Sequence, residues 1–318
     1  MVMNCNLKID ADVLKQAMYD LRFVYIFCFL VIIALVLFEI LFVRKWNKKK
    51  QQGNTDEVKE EVKPKKNAFH NGFYEIELGN CQGVGEREEQ QDAFGFSPST
   101  KWEKQGFLAV LCDGMGGLDA GADISNKLVS DIIAEFPYDF DKLKDGWILD
   151  SFSAEIYGNY RGRGGTTVII TFLKDDKMWF ASVGDSDLLL LRNGRIYAMN
   201  QRQEYGRELL LRAVDGAIGM DQALNNPDAP ALTEYMGGQH ANPDYSVIPW
   251  HVEENDVYLL CSDGISDTLN FDEIKECMSH GPEECAQLLE QGIMKKNKKY
   301  QDNYTAIVFA VRKLGGFV

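Results

Sequence analysis

Four aspartates share one kind of position in the sequence, because each stands at an end of a short apolar run that is typical of a buried strand. An aspartate at the rim of a packed sheet is costly to desolvate unless positive charge lies beside it, and hard divalent cations prefer clustered oxygen ligands. One Asp-Gly pair alone usually indicates only a turn. Together the four predict a metal site formed by Asp113, Asp185, Asp263 and Asp302.

The run Asp113-Gly114-Met115-Gly116-Gly117 is the sharpest of these contexts. We expect it to lead from a buried strand through a glycine-rich turn into an amphipathic helix. Glycine lets the backbone approach a metal closely and offer a carbonyl as a ligand. A tight strand-to-helix connection without a ligand is the alternative. A nucleotide-binding loop is disfavoured, because the run has no lysine and no Gly-x-Gly-x-x-Gly pattern.

These motifs, with others, resemble those of the protein phosphatase 2C family, in the family's order, over essentially all of Phe73–Val311. The resemblance begins with an arginine that is followed four and five residues later by an acidic or amide residue and an aspartate. In chain order the motifs are Arg87-Glu88-Glu89-Gln90-Gln91-Asp92, Asp113-Gly114-Met115-Gly116-Gly117, Gly165-Thr166-Thr167, Val183-Gly184-Asp185-Ser186, Ser262-Asp263-Gly264 with Asp267 nearby, and Asp302-Asn303-Tyr304-Thr305.

The resemblance implies a site for two Mn²⁺ or Mg²⁺ ions. Asp113, Asp263 and Asp302 would hold the first ion, and Asp113 with the carbonyl of Gly114 would hold the second. Asp185 corresponds to a carboxylate that, together with Asp263, supports a third and weaker ion in bacterial members of the family.

The resemblance also assigns catalytic roles and exposes three departures from the family pattern. Asp92 would act through metal-bound water, and the planar fork of Arg87 would bind two phosphoryl oxygens. Gln91 replaces the glutamate of animal enzymes, which predicts a weaker second metal site. Met115 stands where animal members place a histidine. Asp187 replaces the more usual arginine, and the sequence offers no physical reason for it.

The implied activity is hydrolysis of phosphoserine and phosphothreonine in cytoplasmic proteins by a water activated between two metal ions, without a covalent intermediate. Phosphorylated proteins and a cognate kinase are the expected partners. Two alternatives stay open: a membrane-tethered pseudophosphatase scaffold, and a metal-dependent hydrolase of small phosphate esters. The formal net charge of -14 disfavours nucleic acid as a ligand.

Short apolar runs bounded by turn residues predict strands, and 3.6-residue periodicity predicts three helices. The predicted helical segments surround Ile124 to Phe136, Leu209 to Val214, and Glu283–Met294. Many strands with few intervening helices favour an α+β fold. The expected arrangement is a four-layer α-β-β-α sandwich with the metal cluster at one edge. The predicted strands are Phe107–Cys112, Thr166–Leu173, Met178–Val183, Leu188–Leu191, Val257–Cys261 and Tyr304–Val311.

The N-terminal part of the chain predicts a membrane anchor. Residues Phe23–Val43 are almost unbroken apolar, long enough as a helix to cross ~30 Å of hydrocarbon. A cleaved signal peptide fits less well, because no small-residue cleavage site follows. The basic cluster after Val43 places the C-terminal side in the cytoplasm. We expect a leader over 1–22, the membrane helix over 23–43, a basic segment and flexible linker over 44–72, and a catalytic domain over 73–318.

Other features predict less. Residues 200–249 are rich in glycine, asparagine and proline, and resemble the family's variable flap; a plain surface excursion is the alternative. The seven cysteines have no Cys-x-x-Cys spacing, so neither a disulfide framework nor a zinc knuckle is indicated. The four histidines are dispersed and have no predicted role. We expect a monomer.

Overall fold

The computed structural model describes residues 68–70, 72–115, 120–139, 143 and 147–313. The predicted leader, the membrane helix Phe23–Val43, nearly all of the linker, and Gly116 and Gly117 of the glycine-rich run lie outside these residues. Within the described part of the chain, no helix is long and apolar enough to cross a bilayer.

Strands and helices alternate irregularly along the described residues. The strands are β1 Ala68–His70, β2 Tyr74–Gly83, β3 Asp92–Phe96, β4 Phe107–Met115, β5 Gly165–Thr166, β6 Val168–Lys174, β7 Lys177–Val183, β8 Asp187–Arg192, β9 Arg195–Ala198, β10 Asp244–Tyr245, β11 Trp250–His251, β12 Val257–Cys261 and β13 Tyr304–Lys313. The helices are α1 Trp102–Gln105, α2 Ala120–Ala134, α3 Trp147–Tyr160, α4 Tyr205–Val214, α5 Met220–Leu224, α6 Asp263–Ser266, α7 Phe271–Met278 and α8 Pro282–Lys296, with a 3₁₀ turn at Ser99–Lys101.

The strands form two antiparallel sheets. The first has the order β1-β2-β13-β12-β8-β9, and the second has the order β10-β7-β6-β4-β3, with β11 beside β7 and β5 beside β4. The longest pairing of the first sheet joins all ten residues of β13 to β2. The predicted α+β content is therefore confirmed, with antiparallel strands throughout the described sheets.

Apolar side chains from both sheets meet in one buried cluster. The rings of Phe107 in β4 and Phe309 in β13 lie 5.1 Å apart, edge to face, and Tyr258 stacks on Phe309 at 4.9 Å. A second cluster joins α2 and α3 to the other face of β4 and β6, and a third joins α7 and α8 to β12 and β13. Burial of these faces holds the strand ends, where the aspartates lie, in a fixed arrangement.

All six predicted strands are present, with small shifts at their ends. Thr166–Leu173 divides into β5 and β6 at Thr167, because the backbone N–H of Thr167 donates to the carbonyl of Asp113 at 2.8 Å instead of continuing a regular ladder. Strands β2 and β3 were not predicted, although β3 begins with the site residue Asp92. They contain glycine and polar residues, which weaken the strand pattern.

The helix predictions differ from the structure at one boundary and in several helices that were missed, α1, α3, α5, α6 and α7. The helix that contains Ile124 ends at Ala134, before Phe136, because the residue that precedes Pro137 is biased away from the α region. Phe136 is nevertheless buried in the cluster under that helix. Helix α3 was missed, although Ile148, Leu149, Phe152 and Ile156 supply its buried face.

The expectation that a turn begins directly after Cys112 is wrong. Strand β4 continues through Met115, because Asp113 pairs with Asp92 of β3 while Gly114 and Met115 pair with β5. Two-sided pairing therefore keeps the Asp-Gly pair extended. The sequence pattern could not reveal this, since Asp and Gly are both rare in strands.

Candidate metal centre

One cavity of about 440 Å³ collects most of the predicted site residues. Among the described residues that line it, Arg87 alone is positively charged, whereas four aspartates face it. No histidine lies among these lining residues, in keeping with the methionine at position 115. The lining residues are Arg87, Glu88, Glu89, Gln91, Asp113, Gly114, Met115, Thr167, Asp185, Leu232, Asp263, Asp302 and Asn303.

Asp92 does not line the cavity but lies directly behind it. It is the first residue of β3 and pairs across the ladder with Asp113 of β4. Asp92 is only 3% exposed. Like charges that face each other on neighbouring strands are destabilising, and burial strengthens the repulsion. Two ionised carboxylates in this register therefore need a cation, or one of them must hold a proton.

Two buried carboxylate oxygens support a cation in this place. Within the described residues, Oδ1 of Asp92 and Oδ1 of Asp263 are fully buried and accept no hydrogen bond. A buried acceptor without a partner costs about 1–3 kcal/mol, and more when it is charged. The donor set around the cavity consists of carboxylate and carbonyl oxygens without thiolate or imidazole, which suits Mn²⁺ or Mg²⁺. The residues present therefore fit hard divalent ions.

The pKa values of the aspartates also support a cation at this site. Burial, followed by the charge of Asp92, raises the pKa of Asp113 well above its usual range. Burial and then the charge of Asp185 raise the pKa of Asp263 to about 7. The pKa of Asp92 and that of Asp185 are each raised to about 6, chiefly by burial. The fold thus holds four carboxylates together in an environment that disfavours their charge.

In the described part of the chain, no three His, Cys, Asp or Glu side chains already converge at metal-binding distance. Two residues that line the cavity form an ion pair: Nη2 of Arg87 donates to Oδ2 of Asp302 at 2.6 Å. Arg87 is 61% exposed and Asp302 38% exposed, so the pair contributes little to stability and can exchange with other partners. The residue predicted to bind phosphate therefore contacts one predicted metal ligand directly.

Two glycines allow the backbone to approach the cluster. A Cβ on Gly114 would lie 2.6 Å from the carbonyl oxygen of Gln91, whose side chain also faces Gly121. A Cβ on Gly264 would lie 1.9 Å from the carbonyl oxygen of Asn303. This second approach brings the first turn of α6, which begins with Asp263, against the segment before β13. The Asp-Gly pairs therefore serve close packing of backbone on backbone.

Several residues that orient the aspartates were missed as site residues, although the motifs contain them. The hydroxyl of Ser262 donates to Oδ2 of Asp92 at 2.8 Å and accepts from the backbone N–H of Thr305 at 3.0 Å. The side chain of Asn303 accepts from the N–H of Gln91 at 2.8 Å and donates to the carbonyl oxygen of Glu89 at 3.0 Å. Short polar residues beside an aspartate were the available signal.

The pair Thr166-Thr167 holds Asp113 in the same way. The Thr166 hydroxyl donates to the carbonyl oxygen of Asp113 at 2.8 Å, and the Thr167 hydroxyl accepts from its N–H at 3.1 Å. The hydroxyls of Thr167 and Ser186 are 2.8 Å apart. The polar residues after β7 are thereby connected to the middle of the second sheet.

Comparisons with known proteins agree with this fold. A model of the family "Protein phosphatase 2C" matches residues 76–208. The protein phosphatase PhpP of Streptococcus pneumoniae is 26% identical over 184 residues, which cover 54% of this chain and 72% of that protein. The serine/threonine phosphatase Stp of Listeria monocytogenes is 25% identical over 186 residues, covering 54% of this chain and 71% of the relative.

Two solved structures share the fold. The serine/threonine phosphatase of S. agalactiae superimposes with a TM-score of 0.64 at 23% identity, over 74% of this chain and 100% of the other. The catalytic domain of PstP, solved in complex with two manganese ions, superimposes with a TM-score of 0.60 at 22% identity, over 75% of this chain and 99% of the other. Part of this chain therefore matches the protein phosphatase 2C family, and the two curated relatives are named a protein phosphatase and a serine/threonine phosphatase.

Proposed function

We propose that this protein is a metal-dependent phosphatase that hydrolyses phosphoserine and phosphothreonine in cytoplasmic proteins. The observation that carries the proposal is a cavity whose wall holds four aspartates around a single arginine, with unpartnered carboxylate oxygens buried at its base. In the proposed sandwich, the two sheets and their flanking helices would form four layers, α-β-β-α, with this cavity at one edge.

The proposed ligands are Asp113, Asp263 and Asp302 for one Mn²⁺ or Mg²⁺, and Asp113 with the Gly114 carbonyl for a second. Gln91 would add a neutral oxygen to the second site. Asp185, with Asp263, would support a third and weaker ion. Mn²⁺ is favoured as the first ion to test, because the PstP catalytic domain was solved with two manganese ions.

When bound, the two ions supply a nucleophilic water at neutral pH and neutralise charge on the phosphoryl oxygens. Residues of the chain itself bind the phosphate and orient the metal ligands. Arg87 reaches the cavity from an exposed loop, and its planar guanidinium matches two phosphoryl oxygens. Transferring the guanidinium from Asp302 to phosphate would also free that carboxylate. Asp92, held by Ser262, is placed to orient Asp113 from behind.

The remaining proposals concern location and partners. The predicted membrane helix Phe23–Val43, followed by five basic residues, would tether a monomeric catalytic domain to the cytoplasmic face of a membrane. Phosphoproteins and the kinase that modifies them would meet the enzyme there. Digestion of the domain by protease added outside intact cells would contradict this orientation.

A phosphopeptide panel tests the activity. The full chain, purified in detergent, should release phosphate from phosphoserine and phosphothreonine peptides with Mn²⁺ and lose this activity in excess EDTA. Undiminished turnover in EDTA would overturn the metal site. Binding of phosphopeptides without turnover would favour the scaffold alternative, and turnover of small esters alone would favour the other hydrolase.

A further inference from the structure

The guanidinium group of Arg202 has an unusual number of partners. Nε and Nη2 donate to the two oxygens of Asp187 at 3.0 and 2.6 Å. Nη1 donates to Glu204 and to Asp267, each at 3.1 Å, and Nη2 also donates to the hydroxyl of Ser266 at 2.5 Å. Arginine has five N–H donors, so every one of them is used.

These partners belong to three segments around the cavity. Asp187 begins β8, two residues after Asp185. Ser266 ends α6, the short helix that begins with Asp263. Glu204 stands at the start of helix α4, within the flap-like segment of residues 200–249, which we call the insert. One cation thus fastens the turn that carries one proposed ligand, the helix that carries another, and the insert.

The positive charge of Arg202 is also needed to balance the carboxylates around it. Asp187 is only 7% exposed, and Arg202 itself is 27% exposed. Without the guanidinium, the carboxylates of Asp187, Glu204 and Asp267 would add negative charge beside a cavity that already gathers four aspartates. Carboxylates that lack a partner cation repel one another, and the cost is largest for the buried Asp187. This pairing also explains an aspartate at position 187, since its arginine partner comes from the insert.

We propose that Arg202 is a positioning residue that holds Asp185 and Asp263 in place for metal binding and couples the insert to the metal site. The inference rests on the proposed function. Lysine cannot replace this arginine, because its ammonium is a point charge that cannot bind both oxygens of Asp187 while reaching two other segments.

The same strand offers a matched control. At the far end of β8, Arg192 binds Asp256 by the same fork, with Nε and Nη2 donating at 2.7 and 2.5 Å. A six-residue strand separates the two arginines' contacts by about 17 Å. Replacement of Arg192 by lysine therefore breaks a comparable ion pair away from the cavity.

The first experiment measures Mn²⁺ binding directly. Arg202→Lys and Arg192→Lys are made in the full chain, purified in detergent, and stripped with EDTA; free Mn²⁺ is then followed by electron paramagnetic resonance during titration. Loss of a residue that orients metal ligands typically weakens affinity about tenfold or more. We expect that loss for Arg202→Lys and wild-type affinity for Arg192→Lys. Unchanged or tighter binding by Arg202→Lys, or equal weakening by both variants, would overturn the role.

The second experiment follows the insert without metal. In the stripped chain, limited proteolysis within residues 206–232 should be faster for Arg202→Lys than for the wild type and Arg192→Lys. Equal cleavage rates would contradict the coupling. If Arg202→Lys fails to fold, Asp267→Asn removes one contact from a half-exposed residue and should show the same two effects more weakly. A wild-type chain that binds no Mn²⁺ would overturn the proposed function, whereas normal wild-type binding matched by the variants would overturn only the role of Arg202.

Discussion

The two ends of β12 carry aspartates whose buried oxygens are in opposite states. Asp256, just before the strand, is 1% exposed and accepts hydrogen bonds from the Arg192 fork, from the backbone N–H of Glu253 at 2.8 Å and from the hydroxyl of Tyr258 at 3.0 Å. Asp263, just after the strand, has a buried oxygen without a partner. It also lies within reach of the charges of Asp185 and Asp302.

From this contrast we expect Asp256 to be a structural carboxylate and Asp263 a functional one. At one end the chain supplies its own cation and donors, so the charge of Asp256 is balanced within the fold. At the other end it concentrates carboxylates and leaves their balance to a ligand. Carboxylates that a fold holds together without a balancing charge are a reason to expect function at that site.

Asp263→Asn should have the largest effect on activity. It removes a ligand shared by two proposed metal sites, and we expect kcat/KM for a phosphopeptide to fall by about 1,000-fold, comparable to the loss of a principal electrostatic group in other enzymes. Steady-state kinetics with saturating Mn²⁺ measures it. A loss smaller than tenfold would remove Asp263 from the metal site.

Asp256→Asn should lower stability and leave the phosphatase activity per folded molecule unchanged. Breaking the buried ion pair leaves Arg192 with only its exposed partner Glu253 and should lower the free energy of unfolding by about 3 kcal/mol. Urea denaturation measures the loss, with phosphatase activity per folded molecule as the control. If the variant keeps wild-type stability but loses Mn²⁺ affinity, the two ends of β12 do not differ as described.

The metal-free protein should be more stable in mild acid than at neutral pH. The folded-state pKa values of Asp92, Asp185 and Asp263 are raised to about 6, 6 and 7 from 3.8. As the pH rises, these aspartates lose their protons in the unfolded chain before they lose them in the folded protein. Their contribution to the free energy of unfolding is therefore highest below about pH 4 and falls as the pH rises toward 7. Thermal unfolding in EDTA between pH 4 and 8 measures the change.

Asp263→Asn supplies the control for that pH dependence. It removes one repelling charge, so the metal-free variant should be about 2 kcal/mol more stable than the wild type at pH 8 and should lose less stability as the pH rises. Saturating Mn²⁺ should reverse this order, because ions bind the folded wild type in preference. Equal stability of the two proteins in EDTA would argue against repulsion in the cluster.

Arg87→Ala should have the smallest effect on the fold. The pair with Asp302 is exposed, so unfolding should change by no more than about 0.5 kcal/mol. Loss of a charged hydrogen bond to phosphate is worth about 1.5 kcal/mol, which corresponds to roughly a tenfold rise in KM. Kinetics and Mn²⁺ titration together test this. A change in metal affinity as large as the change in KM would contradict a role in phosphate capture.

Much of the architecture could be predicted from local patterns. Apolar runs predicted six strands, of which Val257–Cys261 has the predicted bounds, because a strand buried on both faces needs nearly continuous apolar residues. The Asp residues at strand ends were visible for the same reason. Their shared position at strand ends predicted one metal site, and the resemblance assigned each aspartate its role, although Asp113 and Asp302 are far apart in the chain.

The pairing of Asp92 with Asp113 and the contacts of Arg202 required the tertiary structure. Both depend on residues distant in sequence that meet because sheets and an insert pack in one way, and no local pattern encodes such a meeting. The sequence by itself determined where six of the strands run, where aspartates end them and which family motifs they form. Only the folded chain decided which carboxylates have partners, because a buried charge is balanced by its neighbours in space and not by those in the chain.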